Sequence, residues 1–110
     1  MSAIPDLTLP EQQTLLAILI QHPNAYGVSI RDEILKRTGR EYSFGSIYAV
    51  LERLEDKGLI GSREGEVTAA RGGRRKQYFT VTALGQTALQ ASLRAVDSMR
   101  DGVQVEGVAA

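Results

Sequence analysis

The sequence contains no cysteine. That excludes a disulfide framework, a thiolate metal site and a cysteine nucleophile. It contains one histidine, His22, set beside Pro23 in a loop-like stretch. A single imidazole supports neither a histidine metal cluster nor a triad with its other members in place. Net charge is missing as well: thirteen Lys and Arg balance thirteen Asp and Glu, and the total by itself argues against a nucleic-acid partner. The longest apolar run, Leu15 to Ile20, is far too short to span a bilayer. The N-terminal stretch lacks the basic-then-apolar order of a signal peptide. A cytoplasmic protein with no membrane partner is expected. The adjacent Asp32 and Glu33 diverge on a helix, and the segment RGGRRK lacks the GK[ST] ending of a phosphate loop. No enzyme class is indicated, and neither a cofactor nor a metal is expected.

Helical periodicity dominates what is there. At 110 residues the chain is one domain by length. Thr8 and Glu11 have capping-box spacing, and Pro10 falls in the first turn of the helix they open. That helix is apolar on more than one face, through Leu15, Leu16, Ile18, Leu19 and Ile20, so it is expected to be covered widely. A second helix is expected over Ala25 to Arg37, with Asn24 as its N-cap and Gly39 as its stop. The third is the clearest. Ser43 is its N-cap, Ile47, Val50, Leu51 and Leu54 form one buried stripe, and Gly58 supplies the left-handed residue that ends it. The period then changes to two. LIGSRE and KQYFTVT read as two strands of a hairpin. A last helix follows Thr82 and runs to about Arg100, with Leu89, Leu93, Val96 and Met99 at three- and four-residue steps.

Charge placement makes up for the neutral total. Residues 41–70 carry three cations against six acids, whereas residues 71–81 carry Arg71, Arg74, Arg75 and Lys76 and no acid. Gly72 and Gly73 let that tip change shape. Three helices followed by a basic hairpin is the winged helix-turn-helix order. The fold class expected is mostly α with a small β-hairpin: a winged helix-turn-helix over residues 1–81, a dimerisation helix over 82–101 and a disordered tail over 102–110. A helix entering the major groove must not lead with bulk or negative charge, and Ser43, Gly45, Ser46 and Ala49 meet that demand. Tyr48 and Arg53 complete the expected contact set on the helix, and the four wing cations would reach the DNA backbone or minor groove. Glu52, Glu55 and Asp56 would then sit away from the phosphates. A winged-helix protein-interaction module that never touches DNA is the other reading, and the neutral total fits it.

The segments AYGVSIRDEI, SFGSIYAVLERLEDKGLI and GGRRKQYFTVTALGQ resemble the PadR family of bacterial transcriptional regulators. The matching positions are Tyr26 and Gly27; then Ile47, Tyr48, Leu51, Arg53, Leu54, Glu55, Gly58, Leu59 and Ile60; then Arg75, Lys76, Tyr78, Thr82 and Gly85. The resemblance implies a homodimeric DNA-binding regulator, usually a repressor, with double-stranded DNA as its partner. In such a dimer the two recognition helices are expected about 34–36 Å apart, one turn of B-DNA, so the operator is expected to be a near-palindrome. The resemblance also implies dimerisation through the last helix with help from the first. That agrees with the apolar excess at Leu15, Leu19, Leu89, Leu93, Val96 and Met99. A small aromatic or cationic effector at the dimer interface is a further implication. With a single C-terminal helix and no Trp, the chain is similar to the short form of the family and lacks the stacking indole of its multidrug-binding members.

Overall fold

A computed structural model describes residues 4–67 and 75–103. Helix α1 (Leu9–Gln21) opens with the full capping box: the Glu11 N–H donates to Thr8 Oγ1, and the Thr8 N–H donates to Glu11 Oε1. Helix α2 spans Gly27–Thr38 and α3 spans Phe44–Asp56. Strands β1 (Ile60–Val67) and β2 (Arg75–Val81) form an antiparallel hairpin with Ile60 opposite Val81 and Arg63 opposite Tyr78. Helix α4 (Ala83–Asp101) closes the chain from its N-cap Thr82. The architecture is mostly helical with a two-stranded wing, as the sequence implies. Among the described residues, no helix is long and apolar enough to cross a membrane.

The core is the meeting of four helical stripes and the wing's inner face. Leu15 and Ile18 from α1, Ile30 and Ile34 from α2, and Ile47, Leu51 and Leu54 from α3 pack with Leu59, Ile60, Phe79, Ala88 and Leu89. Burying such side chains stabilises each by about 1.5–3 kcal/mol. Gly58 adopts φ +75° after α3, and the Leu59 N–H returns to Leu54 O. That left-handed turn aims the chain from α3 straight into β1.

Two boundaries differ from the sequence expectation. Helix α2 begins two residues later than Ala25, and Asn24 does not cap it. The cause is tertiary. Ala25 forms an isolated antiparallel bridge with Phe79 of β2, whose N–H donates to Ala25 O at 2.9 Å. A residue held extended by a strand cannot start a helix. The Ser29 hydroxyl accepts the Tyr26 N–H instead, at 3.0 Å. Strand β1 also runs past Glu64 to Val67, with an irregularity in register between those two residues.

Only the first turns of α4 dock on the domain, where Gly85, Ala88 and Leu89 are buried. Beyond them Leu93 is 37% exposed, Val96 59% and Met99 77%. The dimer-interface expectation therefore divides. Leu15 and Leu89 are covered by their own chain and belong to the core. They are corrections to the expected interface, because a side chain already enclosed by its own protomer has no surface to give a second copy. Leu19, Leu93, Val96 and Met99 remain open. Residues 104–110, most of the expected tail, lie outside the described residues.

Candidate nucleic-acid interface

Helix α3 presents an uncrowded leading end. Ser43 caps it: its hydroxyl accepts the Ser46 N–H at 3.0 Å and donates to Ser46 Oγ at 2.9 Å. Gly45, Ser46 and Ala49 are all exposed. A Cβ added at Gly45 would meet nothing closer than Ser43 Oγ, at 4.0 Å, so the surface there is flat and open. The approach to the helix is held from α2. Arg31 donates from Nε to Tyr42 O at 2.7 Å, pairs with Glu41 at 2.9 Å, and stacks 4.6 Å from the centre of the Phe44 ring.

Tyr48 leans from α3 over the first turn of α2. It is half exposed, and a Cβ at Gly27 would lie 2.4 Å from its Oη. Only a glycine permits that approach. Tyr48, Gly27, Tyr26, Arg75 and Lys76 together line a cleft of about 190 Å³ between α2, α3 and the wing.

The base of the wing is braced by cations over aromatic rings. Lys76 Nζ sits 4.2 Å from the Tyr26 ring centre, and the Arg63 guanidinium lies 4.7 Å from that of Tyr78. Tyr26 and Tyr78 meet edge to face at 6.1 Å. Arg63 also donates to Pro23 O at 3.1 Å. These contacts, worth about 0.5–1 kcal/mol each where exposed, place Lys76 beside Tyr48. Arg75 is 3.7 Å from Glu64 across the hairpin. Arg71 and Arg74 lie outside the described residues.

Arg53 and Glu55 of α3 have partners within the chain that the sequence reading did not include. The Arg53 guanidinium is 3.6 Å from Glu11 on α1, and Lys57 joins it at 2.9 Å. Glu11 is 1% exposed. Burial pushes its carboxyl up, but the Thr8 N–H, the Lys57 ammonium and the Thr8 hydroxyl together outweigh burial and hold it below the ordinary glutamate value. The structure thus gives Arg53 an internal partner. Glu55 accepts from Ser62 Oγ at the wing base, at 3.0 Å. Glu52 lies on the same exposed stripe as Ala49 and Gly45, three residues after the one and seven after the other. Sequence reasoning saw Glu11 only as half of a capping box. Its partners are 42 and 46 residues away, and nothing local signals them.

The model of the transcriptional regulator PadR-like family matches residues 15–91. The chain belongs to this family. The PadR-like match takes in α2, α3, both strands and the first turns of α4, so it contains every contact described above apart from those of Glu11 and its cap. An uncharacterised protein of Lysinibacillus sphaericus is 34% identical over 86 residues, 76% of either chain. Among solved structures, a transcriptional regulator from Clostridium thermocellum superposes with a TM-score of 0.71 at 21% identity, covering 84% of each chain. A PadR family transcription regulator from Clostridium difficile gives 0.67 at 23% identity, over 82% of this chain and 91% of that one. Bacillus subtilis PadR in complex with operator DNA gives 0.61 at 22% identity, over 74% of this chain and 46% of that one. These structural likenesses establish the PadR-like fold.

Proposed function

We propose that this PadR-like regulator is a homodimeric repressor that binds a near-palindromic operator through α3 and the wing. The observation that carries the reading is the juxtaposition of an open, capped helix end at Ser43, Gly45, Ser46 and Ala49 with Lys76, Arg75 and Tyr48 on its flank. A bulk-free helix supplies the groove-filling element, and cations beside it supply phosphate contacts. The operator complex of Bacillus subtilis PadR supports a DNA partner for the shared fold. Dimerisation is proposed through Leu93, Val96 and Met99 of α4, with Leu19 of α1 at its edge. An exposed apolar stripe of that length is unusual on a monomer. A small aromatic or cationic effector, as the family resemblance implies, would act where the two copies meet and lower DNA affinity.

The wing cations are assigned to phosphate and the helix to bases. Replacing Arg74 and Arg75 with Ala should weaken binding to operator and random DNA alike, and flatten the salt dependence by about 0.9 in log–log slope per lost contact. Ser46→Ala should lower operator affinity alone, by roughly 1–3 kcal/mol for a lost base contact. Titration of both duplexes across a salt series checks the division. A wing variant that loses only operator binding, at an unchanged slope, would show the tip reading bases. Glu52 and Asp56 on the exposed side of α3 favour the protein-interaction reading, and that reading takes over if the wild type binds neither duplex.

A further inference from the structure

The C-terminal half of the recognition helix and its cap carry two cations, Arg53 and Lys57. Both are bound by one acid of another helix. Glu11 is 1% exposed, while the Arg53 and Lys57 side chains keep 50% and 38% of their surface. The carboxylate therefore lies underneath, with the two cations folded down onto it. It cannot follow them outward, because the Thr8 N–H holds Oε1 at 2.9 Å and the first turn of α1 fixes the backbone. Arg53 stands one turn beyond Ala49 and two beyond Ser46 on the flank of the proposed DNA face. Without Glu11 its guanidinium would be free to swing to a phosphate.

We infer that Glu11 is a specificity-determining residue that keeps Arg53 and Lys57 from binding DNA backbone, although it touches no DNA itself. The inference rests on the DNA-binding reading above. Phosphate contacts raise affinity for every sequence equally and so dilute discrimination. Drawing either cation away from Glu11 weakens the pairing of a buried carboxylate, which opposes the move. The same arrangement recurs on α2, where Arg37 and Lys36 are both paired with the largely buried Glu33. Sequence-independent attraction is thereby left to the wing, and the recognition helix contributes shape and base contacts. This also accounts for a DNA-binding chain with no net charge.

The test uses the full chain, with fluorescence anisotropy on a random-sequence duplex and on a duplex from its own upstream region, over a fourfold range of salt. Glu11→Gln is expected to steepen the random-duplex salt slope by about 0.9 for one freed cation and about 1.8 for two. The tightening should be on the order of tenfold at the lowest salt, with a fall in the operator-to-random ratio. Adding Arg53→Gln and Lys57→Gln to that variant should restore the wild-type slope. In the wild-type background each of those two substitutions alone should leave the slope unchanged. A merely structural role for Glu11 would weaken binding to both duplexes without steepening the slope, and that result overturns the inference. So does a flatter slope for Arg53→Gln or Lys57→Gln alone, which remains decisive if Glu11→Gln does not fold. Failure of the wild type to bind either duplex would remove the DNA-binding reading and this inference together; an unchanged slope in Glu11→Gln removes only the inference.

Discussion

Gly27→Ala is the most informative single substitution in this protein. The new Cβ would lie 2.4 Å from Tyr48 Oη, 2.6 Å from Cζ and 2.8 Å from Cε1. Carbon atoms settle at about 3.5–4.0 Å, so the phenol must retreat by roughly an ångström or more. It is able to, because Tyr48 is 50% exposed and what it presents to Gly27 is the far end of a rotatable side chain. The loss of stability is correspondingly small. Displacing a half-exposed ring costs about 1 kcal/mol, and alanine recovers up to about 0.8–1 kcal/mol of helix propensity over glycine. The melting temperature should then move by no more than about 4–8 °C. DNA binding should suffer more. Tyr48 would leave the cleft it shares with Lys76 and Arg75, and affinity for operator should fall by about 1–3 kcal/mol. Thermal melting and operator titration of Gly27→Ala, Tyr48→Ala and the double variant separate the two effects. Once Tyr48 is gone the alanine meets no ring, so the double variant should bind no worse than Tyr48→Ala alone. Strictly additive losses, or wild-type affinity for Gly27→Ala, would refute the reasoning.

Gly85→Ala should behave in the opposite way, since its Cβ would lie 2.1 Å from the Leu59 carbonyl oxygen, a backbone atom; a loss of about 1–3 kcal/mol or more is expected in thermal or denaturant unfolding. Leu93→Asp should convert the proposed dimer to monomer in light scattering at micromolar concentration while the melting curve of the domain changes little, because Leu93 lies beyond the docked turns of α4. Glu11 and Glu33 both sit below the ordinary glutamate value of 4.5, Glu33 chiefly through its hydrogen bond from Arg37. A depressed carboxylate contributes stability that is present above the unfolded-state value and is lost as pH falls through the folded one. The melting temperature should therefore drop on acidification below about pH 4.5, and the drop should shrink in Glu11→Gln, which has no carboxylate to protonate there.

The sequence by itself determined the elements whose causes are local. The Thr8–Glu11 box, the Ser43 and Thr82 caps and the left-handed turn at Gly58 are each set within a few residues, because caps and turns are short-range hydrogen-bond problems. The stripe of Ile47, Val50, Leu51 and Leu54 was likewise legible, since a 3.6-residue period needs no partner to be recognised. Tertiary structure decided what depends on who sits opposite. The start of α2 moved because Phe79, more than fifty residues on, holds Ala25 extended. Leu15 and Leu89 read as interface because an apolar side chain looks the same whether its own chain or a second copy covers it; only the packing of α1 and α4 shows that their own chain does. The charges follow the same rule. A list of arginines and glutamates gives a net of zero, but it does not say that Arg53 and Lys57 lie on Glu11 while Lys76 lies on Tyr26. Coulombic and cation–π contacts act over a few ångströms of space, and distance in space is what a sequence does not carry.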